Sequence, residues 1–193
     1  MDIKGKYIIE AGHVTEVYGP VQALRNYLLK QDCKFTFISH PFSYTGLEAT
    51  KAKTYENGKL TESKTGHKKS TNLLIQWASD FFFNLGFGLK HKSDFFIAID
   101  NLNGISAVIL KLLGRTKKTG YYVIDHMDRR FMNPVFNFVY ELLDFISLKF
   151  SDTVWLLSER MADAGGARRE SGRFPRRDRS AHGRQRRRHR LER

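Results

Sequence analysis

Short, continuously apolar runs alternate with helix-length stretches through residues 1–161, and this predicts an α/β domain with a Rossmann-like parallel sheet. The runs are apolar along their whole length, not at every second residue. Both faces of the sheet are therefore expected to be covered by helices. Apolar periodicity stops near Met161, which sets the domain boundary: from Gly165 to Arg193 the only sizeable apolar side chains are Phe174 and Leu191.

Lys6 to Ala11 (KYIIEA) reads as a buried strand ending at Gly12. From Gly19 to Lys30 a helix is expected, with Pro20 at its first position and Val21, Leu24, Tyr27 and Leu28 at helical spacing. Lys34 to Ser39 (KFTFIS) is a second strand closed by Pro41. Residues 45–70 are polar and weakly periodic and read as an irregular excursion with one hairpin. Asn72 to Gly86 reads as an aromatic-rich helix. Strands are then expected at Asp94–Ile99, Thr119–Ile124 and Thr153–Leu157. Helices follow them: one holding Ser106 to Leu113 and ending at Gly114, one from Pro134 to Phe150, and one beginning near Glu159 behind a Ser158 cap. In such sheets ligands bind beyond the carboxyl ends of the strands, so the loops there should share one rim.

Charge divides at the same boundary. The 21 basic residues of 1–161 are 16 Lys and 5 Arg, set against 16 acids for a net +5; residues 162–193 hold 12 Arg, no Lys and 4 acids for a net +8. The high pI therefore reflects the tail and does not mark the body as a nucleic-acid binder. Three readings of 162–193 stand side by side: an Arg-rich arm for nucleic acid or anionic membrane, a disordered extension, or an out-of-frame translation. With Arg written as CGN, a one-nucleotide shift across Phe174–Arg186 permits an apolar strand and a Pro-x-Gly-Val turn. That accounts for a tail rich in Arg and free of Lys, so an out-of-frame, unstructured segment is the expectation.

Other classes are excluded or left without support. About 160 residues suffice for one substantial core. A single cysteine, Cys33, forms no internal disulfide, and it reads as a small buried strand residue in a reducing, cytoplasmic setting. No secretory signal or run of roughly 18 apolar residues is present. No GxGxxG fingerprint points to a nicotinamide or flavin cofactor, and no metal-ligand spacing appears.

Four segments carry a family resemblance: IIEAGHVTEVYGPVQALRNYLL, DFFIAIDNLNGISAVILKLLG, YYVIDHMDRRF and DTVWLLSERM. Their order and spacing resemble the N-terminal domain of glycosyltransferase family 4, the retaining, metal-independent GT-B enzymes. The match covers nearly all of 1–161 and is weakest between 45 and 90. It implies an acceptor-side domain of an enzyme that moves sugar from a nucleotide-sugar to a glycan or lipid-linked acceptor. No cofactor is implied beyond the nucleotide-sugar donor, and no specific nucleic acid. A cytoplasmic enzyme, peripheral at the inner face of the membrane, would suit a lipid-linked acceptor. Such enzymes complete the donor site with a second domain, so this chain by itself is expected to be inactive. The alternative is a non-enzymatic module whose basic tail binds nucleic acid or anionic membrane.

The resemblance also suggests roles for particular residues. Gly12, Gly19 and Pro20 shape the first strand-to-helix loop, where free N–H groups can face a donor diphosphate; an ordinary turn explains them too. Asp125 or His126 stands where the family places a residue near the transferred sugar, and a one-residue slip exchanges them. Helix capping by Asp125 and a solvated His126 is the plainer reading. Arg129 and Arg130 follow in the same loop as acceptor contacts. Asp100, Asn101 and Asn103 end another strand and suit acceptor hydroxyls or Asx capping. His40 is a candidate rim contact. The stretch around Trp77, Phe81, Phe82, Phe83 and Phe87, with Lys90, His91 and Lys92 behind it, reads either as a core helix or as a membrane-surface segment.

Overall fold

The computed structural model describes residues 3–15, 18–42, 44–124 and 130–157. Among them the order is β1 (Tyr7–Val14), α1 (Pro20–Leu28), β2 (Lys34–Pro41), β3 (Ala49–Glu56), β4 (Lys59–Lys68) and α2 (Leu73–Lys90). There follow β5 (Ser93–Ile99), α3 (Asn101–Leu112), β6 (Thr116–Val123), α4 (Pro134–Phe150) and β7 (Thr153–Leu156). The seven strands form one sheet in the order β4-β3-β2-β1-β5-β6-β7. From β2 to β7 every pairing is parallel. This is the α/β, Rossmann-like architecture that the apolar runs predict.

Strand alternation sorts the core into two layers. On one face Val21 and Leu28 of α1 meet Ile8, Phe35, Phe37 and Ile97. On the other, Phe87 of α2, Leu110 of α3 and Leu148 of α4 cover Ile9, Ala11, Ile38 and Phe96. β1 is buried on both faces from Ile8 onward, which explains its continuous apolar run. The exception is Glu10, which is wholly buried on the α1 face with neither carboxylate oxygen hydrogen-bonded. Burial pushes its carboxyl well above the ordinary range, against the pull of Arg25.

Residues 45–70 differ from the expected irregular excursion. The hairpin is there, but its arms are full strands that extend the sheet in antiparallel sense. Asn57 (φ +51°) and Gly58 (φ +74°) make the two-residue connection, a turn whose positive φ values suit Asn-Gly. In β3 the inward residues are Thr50, Ala52 and Thr54, so the alternation is real but barely apolar. The Lys-bearing edge strand β4 has no large apolar face to recruit another strand.

α3 starts at Asn101, earlier than the apolar pattern shows, because the Asp100 side chain accepts from Asn103 N–H and caps it. α2 continues past Gly86 to Lys90, and Gly88 lets Leu110 of α3 come close. The helix anticipated near Glu159, and all of 162–193, lie outside the described residues.

α3 and α4 pack closely at Gly104, where an added Cβ would stand 2.6 Å from Ser147 Cβ. Gly104→Ala should lower the urea stability by about 1–3 kcal/mol through this overlap. Gly86→Ala, in a helix position with nothing within 4 Å, should instead raise it, by up to about 1 kcal/mol. Equal effects in urea titrations followed by circular dichroism would refute this account of the helix packing.

Candidate functional site

The chain leaves β1 toward α1 on one face and leaves β5 toward α3 on the other, so β1 and β5 form the topological switch point of the sheet. At the carboxyl end of β1 the inward position that held Ile9 and Ala11 is taken by His13. Its register partner on β2 is His40, and the two rings lie 5.3 Å apart. β5 ends at Asp100. Against these ends α2 turns a buried polar stripe, Gln76, Asp80 and Asn84, at i, i+4 and i+8.

Asp80 has no solvent exposure and is the hub. Its Oδ2 lies 3.1 Å from His13 Nε2, and its Oδ1 is 2.8 Å from both His40 Nδ1 and His67 Nε2. Thr50 Oγ1 donates to Oδ1 at 3.1 Å, and Gln76 Nε2 donates to both oxygens at 2.9 Å. On its other side His13 Nδ1 meets Asp100 Oδ2 at 2.7 Å. Asn103 Nδ2 donates to the same Asp100 oxygen at 2.8 Å, Asn84 Nδ2 donates to Asn103 Oδ1, and Asn84 Oδ1 faces His40 Nε2 at 3.1 Å. The hydrogen bonds thus close a ring: Asp80, His13, Asp100, Asn103, Asn84, His40 and back to Asp80.

The ring fixes charge. Burial alone would favour neutral His13, but Asp100 and Asp80 outweigh it and push its pKa up to about 10. Burial likewise resists ionisation of Asp80, yet hydrogen bonds from His13 and His40 hold its carboxyl far below the usual range. Asp100 is also lowered: the His13 charge and hydrogen bond, with Asn103 N–H, overcome desolvation. Near neutrality His13 is an imidazolium donating from both nitrogens to two carboxylates. It has no proton ready for transfer, so it positions Asp100 and is not a general acid or base.

Asp100 is held at φ +77°, a conformation that costs a non-glycine residue about 1–3 kcal/mol and persists only where its surroundings enforce it. The carboxylate opens into a cavity of about 380 Å³ between the rim and the amino-terminal ends of α2 and α4. Its polar wall includes His13, Asp100, Asn101 and Arg130, and its aromatic wall includes Trp77, Phe131 and Tyr140. Asn101 Nδ2 donates to Tyr140 C=O at 2.9 Å, tying α3 to α4. Arg130 N–H donates to Asn137 Oδ1 at 2.9 Å, and its guanidinium lies 5.3 Å from the Tyr140 ring centre. The site thus offers a fixed acceptor, a cation and flat apolar walls.

Of the residues singled out from sequence, Asp100, Asn101 and Arg130 line this cavity. His40 and Asn103 are fully buried behind it. His40 faces α2, not an open rim, because its strand position points it into the polar stripe. Gly12, Gly19 and Pro20 do not line the cavity: Gly12 packs on Ile99 on the α1 face, and Pro20 opens α1. Gly19 N–H is taken by Gln22 Oε1 at 2.9 Å. Asp125, His126 and Arg129 lie outside the described residues. His13, His67, Gln76, Asp80 and Asn84 were not singled out, although a 4-residue polar spacing inside an aromatic helix was a usable signal. Among the described residues no group of three His, Cys, Asp or Glu side chains is arranged to hold a metal ion.

No known family model matches the chain, and no curated protein matches it either.

The ring should mark the pH dependence of stability. His13 has a raised pKa, so its contribution is complete below about pH 6.5 and is lost as pH rises through about 10. Asp80 and Asp100 have lowered pKa values, so theirs is present above about pH 4 and is lost as pH falls further. Imidazole nitrogen NMR should find His13 still doubly protonated at about pH 8. Asp80→Asn should cost about 3–5 kcal/mol in urea unfolding by leaving buried imidazoles unpaired. A neutral His13 at that pH, or a mild Asp80→Asn, would refute the electrostatic account.

Proposed function

We propose that this domain binds the acceptor of a retaining, nucleotide-sugar-dependent GT-B glycosyltransferase, and that the cavity beside Asp100 is the acceptor pocket. The observation that carries the reading is Asp100 itself. A carboxylate is kept ionised and in a strained backbone conformation at the sheet's switch point, facing a cavity with aromatic walls. A fixed carboxylate accepts hydrogen bonds from sugar hydroxyls, and aromatic faces suit the apolar side of a pyranose. Arg130 on the same wall favours an acceptor with an anionic group such as a phosphate.

The resemblance of the strand and loop segments to glycosyltransferase family 4 supports the same assignment. In this reading the donor nucleotide-sugar is held with a second domain, near the loops of Gly12–Pro20 and Asp125–Arg130. Residues of that second domain are required for transfer. Asp125 or His126 stands near the transferred sugar, and Arg129 joins Arg130 at the acceptor. A glycan or lipid-linked acceptor fits the pocket, and a lipid-linked one would bring the enzyme to the cytoplasmic face of a membrane.

Saturation-transfer NMR with a panel of free and phosphorylated glycosides tests the acceptor pocket. Binding is expected for at least one glycoside. Asp100→Asn should weaken it about tenfold or more with an unchanged circular dichroism spectrum, as expected for a lost hydrogen bond to a charged group. If no glycoside binds, and the chain instead binds nucleic acid with a steep salt dependence that deletion of 162–193 removes, the non-enzymatic reading replaces this one.

A further inference from the structure

We propose that the outward faces of α2 and α4 dock the domain on an anionic lipid bilayer, with the cavity mouth at the membrane surface. The docking does not depend on the sugar-transfer reading. It starts from the reversed polarity of α2. The polar residues Gln76, Asp80 and Asn84 are buried, whereas Ile75, Ala78, Phe82, Gly86 and Leu89 face outward. Those outward positions are three or four residues apart and so form one stripe along the helix. Ile75 is 57% and Phe82 67% exposed.

α4 repeats the pattern. Asp144 and Ser147 are buried, while Val135 is 63% and Phe138 53% exposed. The amino-terminal ends of the two helices meet, since Trp77 of α2 lies 6.4 Å from Phe136 and 5.5 Å from Phe131. Leu73 and Val139 line the cavity and are themselves exposed, so the apolar surface runs to its mouth. Single exposed apolar residues are ordinary; a stripe on each of two helices that converge on one cavity is not.

Charge selects the occupant. The acids of these helices are withdrawn: Asp80 and Asp144 are buried, and half-buried Glu141 accepts from Asn137 Nδ2. Exposed Lys68, Lys90, Lys92 and Lys149 flank the two helices; of the exposed acids near them, Glu48 stands alongside Lys68 and Asp152 is paired with Lys111, so the lysines prevail. A cationic border around an apolar face matches anionic headgroups over acyl chains. A second copy of the chain would set the same cations against each other. No described helix is long and apolar enough to cross a membrane, so the contact lies in the interface plane.

The test uses the whole chain with single cysteines carrying an NBD fluorophore. Cys33 is buried, so labelling is directed to the introduced thiol. Phe82→Cys and Phe138→Cys report the proposed face, and Tyr27→Cys on α1 reports the opposite side of the sheet. With phosphatidylglycerol–phosphatidylcholine vesicles, emission should rise severalfold and shift to the blue at positions 82 and 138, but not at 27. Phe82→Glu should lower the vesicle partition coefficient about tenfold, the loss expected from withdrawing one aromatic side chain. Equal changes at all three positions would mean adsorption through the Arg-rich segment 162–193 and would overturn the proposal. So would no change at position 82. A rise at 82 without vesicles, growing with protein concentration, would assign the face to a second copy and overturn it too.

Discussion

The arrangement of this domain depends on one buried carboxylate. Asp80 has no contact with water, and an ion in that position must be matched by charge and hydrogen bonds or it destabilises the fold. Its partners come from four strands: His13 from β1, His40 from β2, Thr50 from β3 and His67 from β4. Satisfying Asp80 therefore fixes the register of the sheet's carboxyl ends and draws the β3–β4 hairpin into the same layer. It also forces α2 to turn its polar side inward, which leaves the apolar side outward. The polarity of α2, the depth of the hairpin and the rigidity of Asp100 are three results of one requirement.

The strands were largely legible because continuous apolar runs have few alternatives in a covered sheet. β1, β2 and β5 begin within a residue of where their apolar residues place them. β3 was concealed because Thr50 and Thr54 are polar by composition and buried in fact. α3 began earlier than its pattern because Asp100, a cap, carries no periodic signal. The site was harder to read. Residues 13, 40, 67, 80 and 100 are separated by loops and whole elements, and each alone is an ordinary polar residue. Only the parallel register of β1 with β2, and the four-residue stripe on α2, bring them together. The aromatic stretch 77–87 had two readings, core helix or membrane-surface segment; Phe87 is in the core as the first requires, while Phe82 is exposed.

The locked ring narrows the chemistry available here. A histidine that donates to two carboxylates is a structural cation, and the groups behind it are saturated. Among the described residues, those facing the cavity include Asp100 as an acceptor, Arg130 as a cation, polar Ser70, Thr71 and Asn101, and the aromatic walls. This is the equipment for holding a polar ligand in a defined orientation, with proton movement left to groups elsewhere.

Glu10 adds a consequence of its own. Burial raises its carboxyl pKa, and the flanking carboxylates raise that of His13, so at both residues the fold holds a proton more tightly than the unfolded chain does. Folding therefore takes protons from the solvent at two sites on opposite faces of β1. Any calorimetric unfolding enthalpy will include the ionisation heat of the buffer. Acidification toward neutrality from the alkaline side will favour the folded state at both sites. The strand at the centre of the sheet is, in this sense, a proton reservoir filled only when the chain folds.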